Sequence, residues 1–418
     1  MVGKGETLKI ALCRVKRLAL GHALLIGLVI LAACVPASRI SSGSDQGAKV
    51  LLLRTPAALL SVRLDTGEVS NLPDSVIAAP GLSGLFASSN ERGVTRVEAV
   101  DPKGTKRTVG KVPGELQVFA ASARGQQIVL APTRSQGPTP SLPEGRAQTE
   151  LVIFRPGDHT SKRFTLEGNF APEAFSTDGR RLFLIEYLPA AAPDRYRVRQ
   201  LNLQTGTITG VGGRLKQPAP EEMRGTGRTQ TLAPDGKTLY TLYARQVETY
   251  PHGQPATPDP HANLPIHSFV HVLNLEEGWA HCIDFPHPFG MSSTGNDALT
   301  VSPDGERLYV VDGSAGRVAA VDTRGLSVVK TTDIPAGADA TFTTARATGR
   351  SLYVSVGHGV VVLDPRTLAL ERSFDLSDKI AGLNVSSDGG KIYVFLPDGV
   401  HVLDSATGAT LTTLTISN

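Results

Sequence analysis

Cysteine is scarce in this sequence, and its scarcity excludes a disulfide framework. There are three in 418 residues, at positions 13, 34 and 282, too few to staple a domain of this size. Charge of one sign is also missing: 42 Lys and Arg face 39 Asp and Glu, a net of +3. No basic surface argues for a nucleic-acid partner. Aromatic residues amount to 5 %, with one Trp, Trp279. No apolar run is long enough for a stable spanning helix, which needs roughly 20 residues; the candidate, 18–33, is sixteen residues long and interrupted by His22. Turn formers are plentiful by contrast. Forty-three Gly and 28 Pro, with 40 % hydrophobic and 19 % charged residues, describe an all-β globular chain rich in tight turns.

The N-terminus is organised for export. Lys4, Lys9, Arg14, Lys16 and Arg17 stand against a single Glu6, followed by the apolar run and then Leu31-Ala32-Ala33-Cys34. A basic start, a short apolar stretch and small residues before a cut site form a secretory leader. The last four residues resemble the lipobox of bacterial lipoproteins. That resemblance implies that Cys34 is acylated with diacylglycerol on sulfur and becomes the new N-terminus, its lipid (palmitate and similar chains) anchoring the protein on the extracytoplasmic side of a membrane. The expected organisation is a signal peptide over 1–33, a flexible tether over 34–47 and a folded domain over 48–418. Cleavage removes Cys13, acylation consumes Cys34, and Cys282 is left alone.

The folded part repeats itself. Ser302-Pro303-Asp304-Gly305 is followed by Arg307-Leu308-Tyr309-Val310-Val311, and the frame recurs at Ala233-Pro234-Asp235-Gly236, Ser176-Thr177-Asp178-Gly179 and Ser386-Ser387-Asp388-Gly389, with a degenerate copy at Thr348-Gly349. Each copy is a strand, a turn in which Asp caps its own backbone and Gly takes positive φ, and a second strand. A third strand ends in turns such as Leu64-Asp65-Thr66-Gly67, Leu363-Asp364-Pro365-Arg366-Thr367 and Leu403-Asp404-Ser405-Ala406-Thr407. Four short strands per roughly 40 residues resemble the blade of a β-propeller, and the frame is similar to YVTN and WD40-like (PD40-type) repeats. Third-strand turns at Asp65, Asp101, Pro156, Gln204, Glu276, Asp322, Asp364 and Asp404 count eight units, the first with only three strands. Seven or eight four-stranded antiparallel blades are expected.

Repeats bind through what departs from them, because insertions collect on one face. Two stretches depart: 133–149 in the third unit, and 247–268 in the fifth, with five prolines and three histidines. Six of ten histidines lie at 252, 261, 267, 271, 281 and 287. Converging imidazoles bind transition metals, and His261, His267 and His287 are the candidates, although the spacings match no metal motif. On one strand His267 and His271 would stand about 13 Å apart. Trp279-Ala280-His281-Cys282-Ile283 reads as a strand packed under the second insertion, and Cys282 as an inert buried thiol. Among propeller enzymes, quinoproteins place a Trp in most blades, and this chain has one. Lactonase-like members use carboxylates and His around the channel, for which Glu173, Glu186, Asp297 and His358 are the available residues. The favoured expectation is a monomeric, membrane-tethered binding or scaffold module, without cofactor, for a protein or cell-envelope partner. The alternative is a lactonase-like hydrolase or an oxidoreductase with its site in the central channel.

Overall fold

The repeated turns show why the strands stop where they do. At Ser302–Asp304, the serine hydroxyl donates to Asp304 Oδ1 (2.5 Å), the Glu306 N–H donates to the same oxygen (3.0 Å), and the Arg307 N–H donates back to Ser302 Oγ (2.9 Å). Gly305 sits at φ +76°, a conformation that costs glycine little. Ser386 and Asp388 build the same turn. The third-strand turns use a carboxylate too: Asp322 Oδ1 accepts from the Arg324 and Gly325 N–H groups, Asp364 from Arg366 and Thr367, and Asp404 from Ala406 and Thr407.

These hydrogen bonds hold the carboxyls below their ordinary range: Ser302 does so for Asp304, Ser386 for Asp388, the Gly325 amide for Asp322, the Thr367 amide for Asp364 and the Thr407 hydroxyl for Asp404. Because folded values lie below unfolded ones, the turns contribute fully above about pH 4 and lose their contribution as pH falls through the depressed values. A melting temperature level down to about pH 4 and falling steeply below it is therefore expected; one that stays level to about pH 2 would contradict this reading.

The computed structural model describes residues 50–417, apart from 57, 74, 134–141, 215–221, 245–267, 291–295 and 338–341. Eight antiparallel sheets form a propeller. Blade 2 comprises Ile77–Ala78, Leu85–Glu91, Val94–Val100 and Lys106–Pro113; blade 3, Leu116–Ala121, Ile128–Pro132, Gln148–Arg155 and Thr160–Glu167; blade 4, Asn169–Phe175, Arg181–Leu188, Arg195–Asn202 and Ile208–Gly210. Blade 5 comprises Thr226–Leu232, Thr238–Ala244, Ser268–Asn274 and Trp279–Phe285; blade 6, Asp297–Val301, Arg307–Asp312, Arg317–Asp322 and Ser327–Asp333. Blade 7 comprises Thr343–Ala347, Leu352–Val356, Gly359–Leu363 and Leu370–Asp375; blade 8, Gly382–Val385, Lys391–Leu396, Gly399–Asp404 and Thr410–Leu414. Eight is the blade number.

Blade 1 explains the three-strand first unit. Val50–Arg54, Leu59–Arg63 and Val69–Leu72 are joined on their outer edge by the C-terminal Ile416–Ser417, with Val69 opposite Ile416 in parallel register. The two ends of the domain thus close the ring together. Blade 5 gains an edge strand in a similar way: Gly212–Gly213, continuing from blade 4, pairs in parallel with Trp279 and Ala280.

Apolar burial lies between blades. Eight clusters of buried side chains fill the eight seams, from Leu52 and Val100 between blades 1 and 2 to Leu53 and Val402 between blades 8 and 1. The Leu-Tyr pair of the repeat adds a polar tie. The phenol of Tyr309 in blade 6 donates to the Pro365 carbonyl in blade 7 (2.7 Å), and burial pushes that phenol up to about 12.

Candidate functional site

Antiparallel blades sort their connections by end. First-to-second and third-to-fourth strand turns leave at one face, and the other connections leave at the opposite face. All the repeated aspartate turns fall on the first, the turn face. The strand ends that flank both insertions lie on the second, the loop face: Pro132 and Gln148 in blade 3, and Ala244 and Ser268 in blade 5, end the second and begin the third strand of each blade.

The loop face of blades 3 to 5 is knitted by polar contacts. The Arg146 N–H donates to the Ala190 carbonyl (2.9 Å), and Asn169 Nδ2 donates to Glu144 O (2.9 Å). Arg195 pairs with Asp194 (2.7 Å) and Glu222 (2.5 Å), and Met223 forms a bridge to Tyr196. Beneath this rim an aromatic column crosses the blade 4–5 seam. Tyr196 stacks on Tyr243 with centroids 5.1 Å apart, and Tyr243 on Phe269 at 5.2 Å.

Below the column the seam turns polar. Register pairs Gln230 with Thr241, Thr241 with His271 and His271 with Cys282, a row across all four strands of blade 5. Strand alternation points this row at blade 4, with Leu239, Phe269, Leu273 and Ala280 on the same face. The corresponding inner three positions are Val118, Leu130 and Val152 in blade 3, Leu299, Val310 and Ala319 in blade 6, and Ala345, Val354 and Val361 in blade 7. Blade 8 places a histidine there, but His401 is bonded to Asp398 (2.8 Å).

In blade 5, Gln230 Nε2 donates to Thr241 Oγ1 (3.0 Å) and to Glu173 of blade 4, a buried carboxylate. His271 is 5 % exposed and makes no hydrogen bond among the described residues. Burial, with His281 nearby, pulls its pKa down to about 4, so the ring is neutral at physiological pH. On the outer strand the Cys282 thiol lies 3.8 Å from Met223 Sδ. One seam thus gathers a thiol, a thioether and a neutral imidazole.

The residues singled out in sequence are dispersed. Glu173 is the buried partner of Gln230. Glu186, also on blade 4, pairs with Arg197 (2.6 Å). Asp297 begins the inner strand of blade 6, directly opposite Asp312, whose carboxylate accepts from the Ala315 N–H (2.9 Å) and the Gly290 N–H (3.3 Å). His358 is exposed in a turn of blade 7, and His287 lies in the connection from blade 5 to blade 6. Cys34, His261 and His267 lie outside the described residues. Among those described, no three His, Cys, Asp or Glu group as a metal site. Trp279 packs on the blade 5–6 cluster, with its indole N–H on Glu277 (2.6 Å) and the Arg214 guanidinium over its ring. Sequence reasoning missed Met223, which sits in a connection without periodicity.

No protein-family model and no curated relative matches the chain. Solved structures do. The dihydro-heme d1 dehydrogenase NirN in complex with DHE aligns at TM-score 0.52 and 13 % identity, over 92 % of this chain and 76 % of its own. The chain is also similar to Kuenenia stuttgartiensis hydrazine synthase (TM-score 0.48, 13 % identity, 82 % and 99 % covered) and to TolB from Acinetobacter baumannii (0.36, 14 %, 66 % and 61 %). At these identities the likeness is one of fold. The fold is an eight-bladed β-propeller.

Proposed function

We propose that this chain is a lipid-anchored, extracytoplasmic propeller that holds a protein or cell-envelope partner on the loop face of blades 3 to 5. The observation that carries the reading is the asymmetry of the two faces. Every aspartate turn of the repeat lies on one face, where eight similar copies serve the fold. The strand ends that flank the two insertions, the Arg195–Asp194–Glu222 ion pairs and the aromatic column lie on or under the other. A site needs one copy, and the unrepeated chemistry is concentrated there. The lipobox-like Leu31-Ala32-Ala33-Cys34 supports placing the ring at a membrane surface.

The reading is tested by photo-crosslinking in the native cell. A photoreactive residue at Ala191 or Glu222, both exposed on the loop face, should yield discrete adducts. Ser387 and Arg366, exposed on the turn face, should yield few. Interface patches of about 800 Å² per partner cover one face and not both, so equal labelling of the two faces would remove the proposal.

A further inference from the structure

We infer that the seam between blades 4 and 5 is a binding site for one monovalent copper ion, ligated by Cys282, Met223 and His271. The inference is independent of the lipid anchor and of the loop-face partner. Its first support is the spacing of the sulfurs. Cys282 Sγ and Met223 Sδ, from an outer strand of blade 5 and from the connection out of blade 4, stand 3.8 Å apart. A three-coordinate ion with bonds of about 2.3 Å to each sulfur would hold them about 4 Å apart.

The second support is His271. It lies directly opposite Cys282 on the same sheet face, where Cβ atoms of paired residues are about 5 Å apart. The imidazole is buried and makes no hydrogen bond among the described residues, so a ring lone pair is available to a metal. Blades 3, 6 and 7 place Val152, Ala319 and Val361 at this position, whereas Glu98, Arg199 and His401 of blades 2, 4 and 8 each meet an oppositely charged partner there.

The donor set selects the ion. Thiolate and thioether ligands favour Cu(I), whereas carboxylate and carbonyl oxygens suit Mg²⁺, Ca²⁺ and Mn²⁺. The carboxylate of this seam, Glu173, is engaged by Gln230. Charge agrees: one thiolate and one Cu⁺ sum to zero, and a neutral complex suffers least in an apolar seam, while a divalent ion would leave a buried positive charge. On binding, the Cys282 S–H bond breaks and its proton goes to solvent as the sulfur–copper bond forms. The thioether and imidazole donate lone pairs without exchanging protons, and copper supplied as Cu(I) keeps its oxidation state. Cys282 is half-buried, which leaves the thiol within reach of an incoming ion.

The experiment is an anaerobic titration of the full-length, detergent-purified chain with Cu(I) against a colorimetric chelator, followed by X-ray absorption of the complex. One copper per chain with two sulfur ligands and one nitrogen is expected. Cys282→Ser should lower the affinity by at least about 100-fold, and Met223→Leu, a swap that keeps volume, by about 10-fold or more. The conservative Met223→Leu variant decides the matter if Cys282→Ser fails to fold. Absence of Cu(I) binding by the folded chain, affinity unchanged in Met223→Leu, or preference for Zn(II) would each overturn the site. All-nitrogen coordination would also overturn it, moving the metal to the histidine-rich stretch 247–268.

Discussion

Phe269→Ala is expected to destabilise the entire ring by about 3–5 kcal/mol and to do so in one transition. Phe269 is fully buried on the third strand of blade 5. Its ring stacks on Tyr243 with an interplanar angle of 14°, and Tyr243 stacks on Tyr196 across the seam. Truncation removes the transfer energy of the phenyl ring and leaves a cavity that hydrogen-bonded strands close poorly. The lost aromatic pair adds roughly 0.5–1.5 kcal/mol. Cooperativity follows from where the apolar surface lies: each blade buries its faces only against its neighbours, so opening one seam exposes two sheets and breaks a closed ring. Trp279 allows a direct check. As the single tryptophan, on blade 5, it reports one blade by fluorescence, while far-UV circular dichroism reports all eight. Coincident urea transitions shifted to lower denaturant are expected for Phe269→Ala, and Phe269→Leu should shift them less. Separate fluorescence and dichroism midpoints would show blades unfolding independently.

The blades themselves were legible in sequence because their turns are local chemistry. An Asp that caps amides two and three residues on can be read within one short window, and each of the eight third-strand turns, from Asp65 to Asp404, joins two strands of a blade. The two insertions were legible as gaps in the period. Asp297 and Asp312 could have been placed opposite each other by counting outward from Ser302-Pro303-Asp304-Gly305, since register in a hairpin is fixed by its turn. What sequence could not supply was contact between units. Ring closure rests on Ile416 beside Val69, a two-residue strand with no periodic signal, at the opposite end of the chain. Met223 and Cys282 are 59 residues apart and meet only because the connection out of blade 4 returns to Tyr196. The row from Gln230 to Cys282 needed the register of four strands at once, with a bulge between Gly227 and Thr229 and an insertion after Ala244 to be crossed correctly. Glu173, Glu186, Asp297 and His358 illustrate the converse: acidic or basic character alone says nothing of a side chain's neighbours, and these four are spread over blades 4, 6 and 7.

Cys34→Ala is expected to abolish lipid attachment altogether while leaving the propeller intact. The modification that the lipobox resemblance implies needs a sulfur nucleophile, and alanine offers none. Each buried methylene of an acyl chain contributes about 0.8 kcal/mol of membrane affinity, and more than one chain is required for stable anchoring, so the change is from tight retention to none. Labelled palmitate should enter the wild-type chain and not the variant. Wild-type protein should pellet with membranes at the mass of 385 residues, counted from Cys34 to Asn418. Membrane association alone is not the readout, because an uncut leader with its sixteen apolar residues can still hold a precursor at the bilayer. A Cys34→Ala chain trimmed to mature length that nevertheless stays with the membrane would defeat the lipoprotein assignment, as would a wild-type chain that takes up no label. The melting temperature should not move, since the first strand begins at Val50, sixteen residues beyond the anchor. On the proposed reading, acylation acts by holding the propeller near the membrane, raising the effective concentration of any partner there, without a contribution to folding.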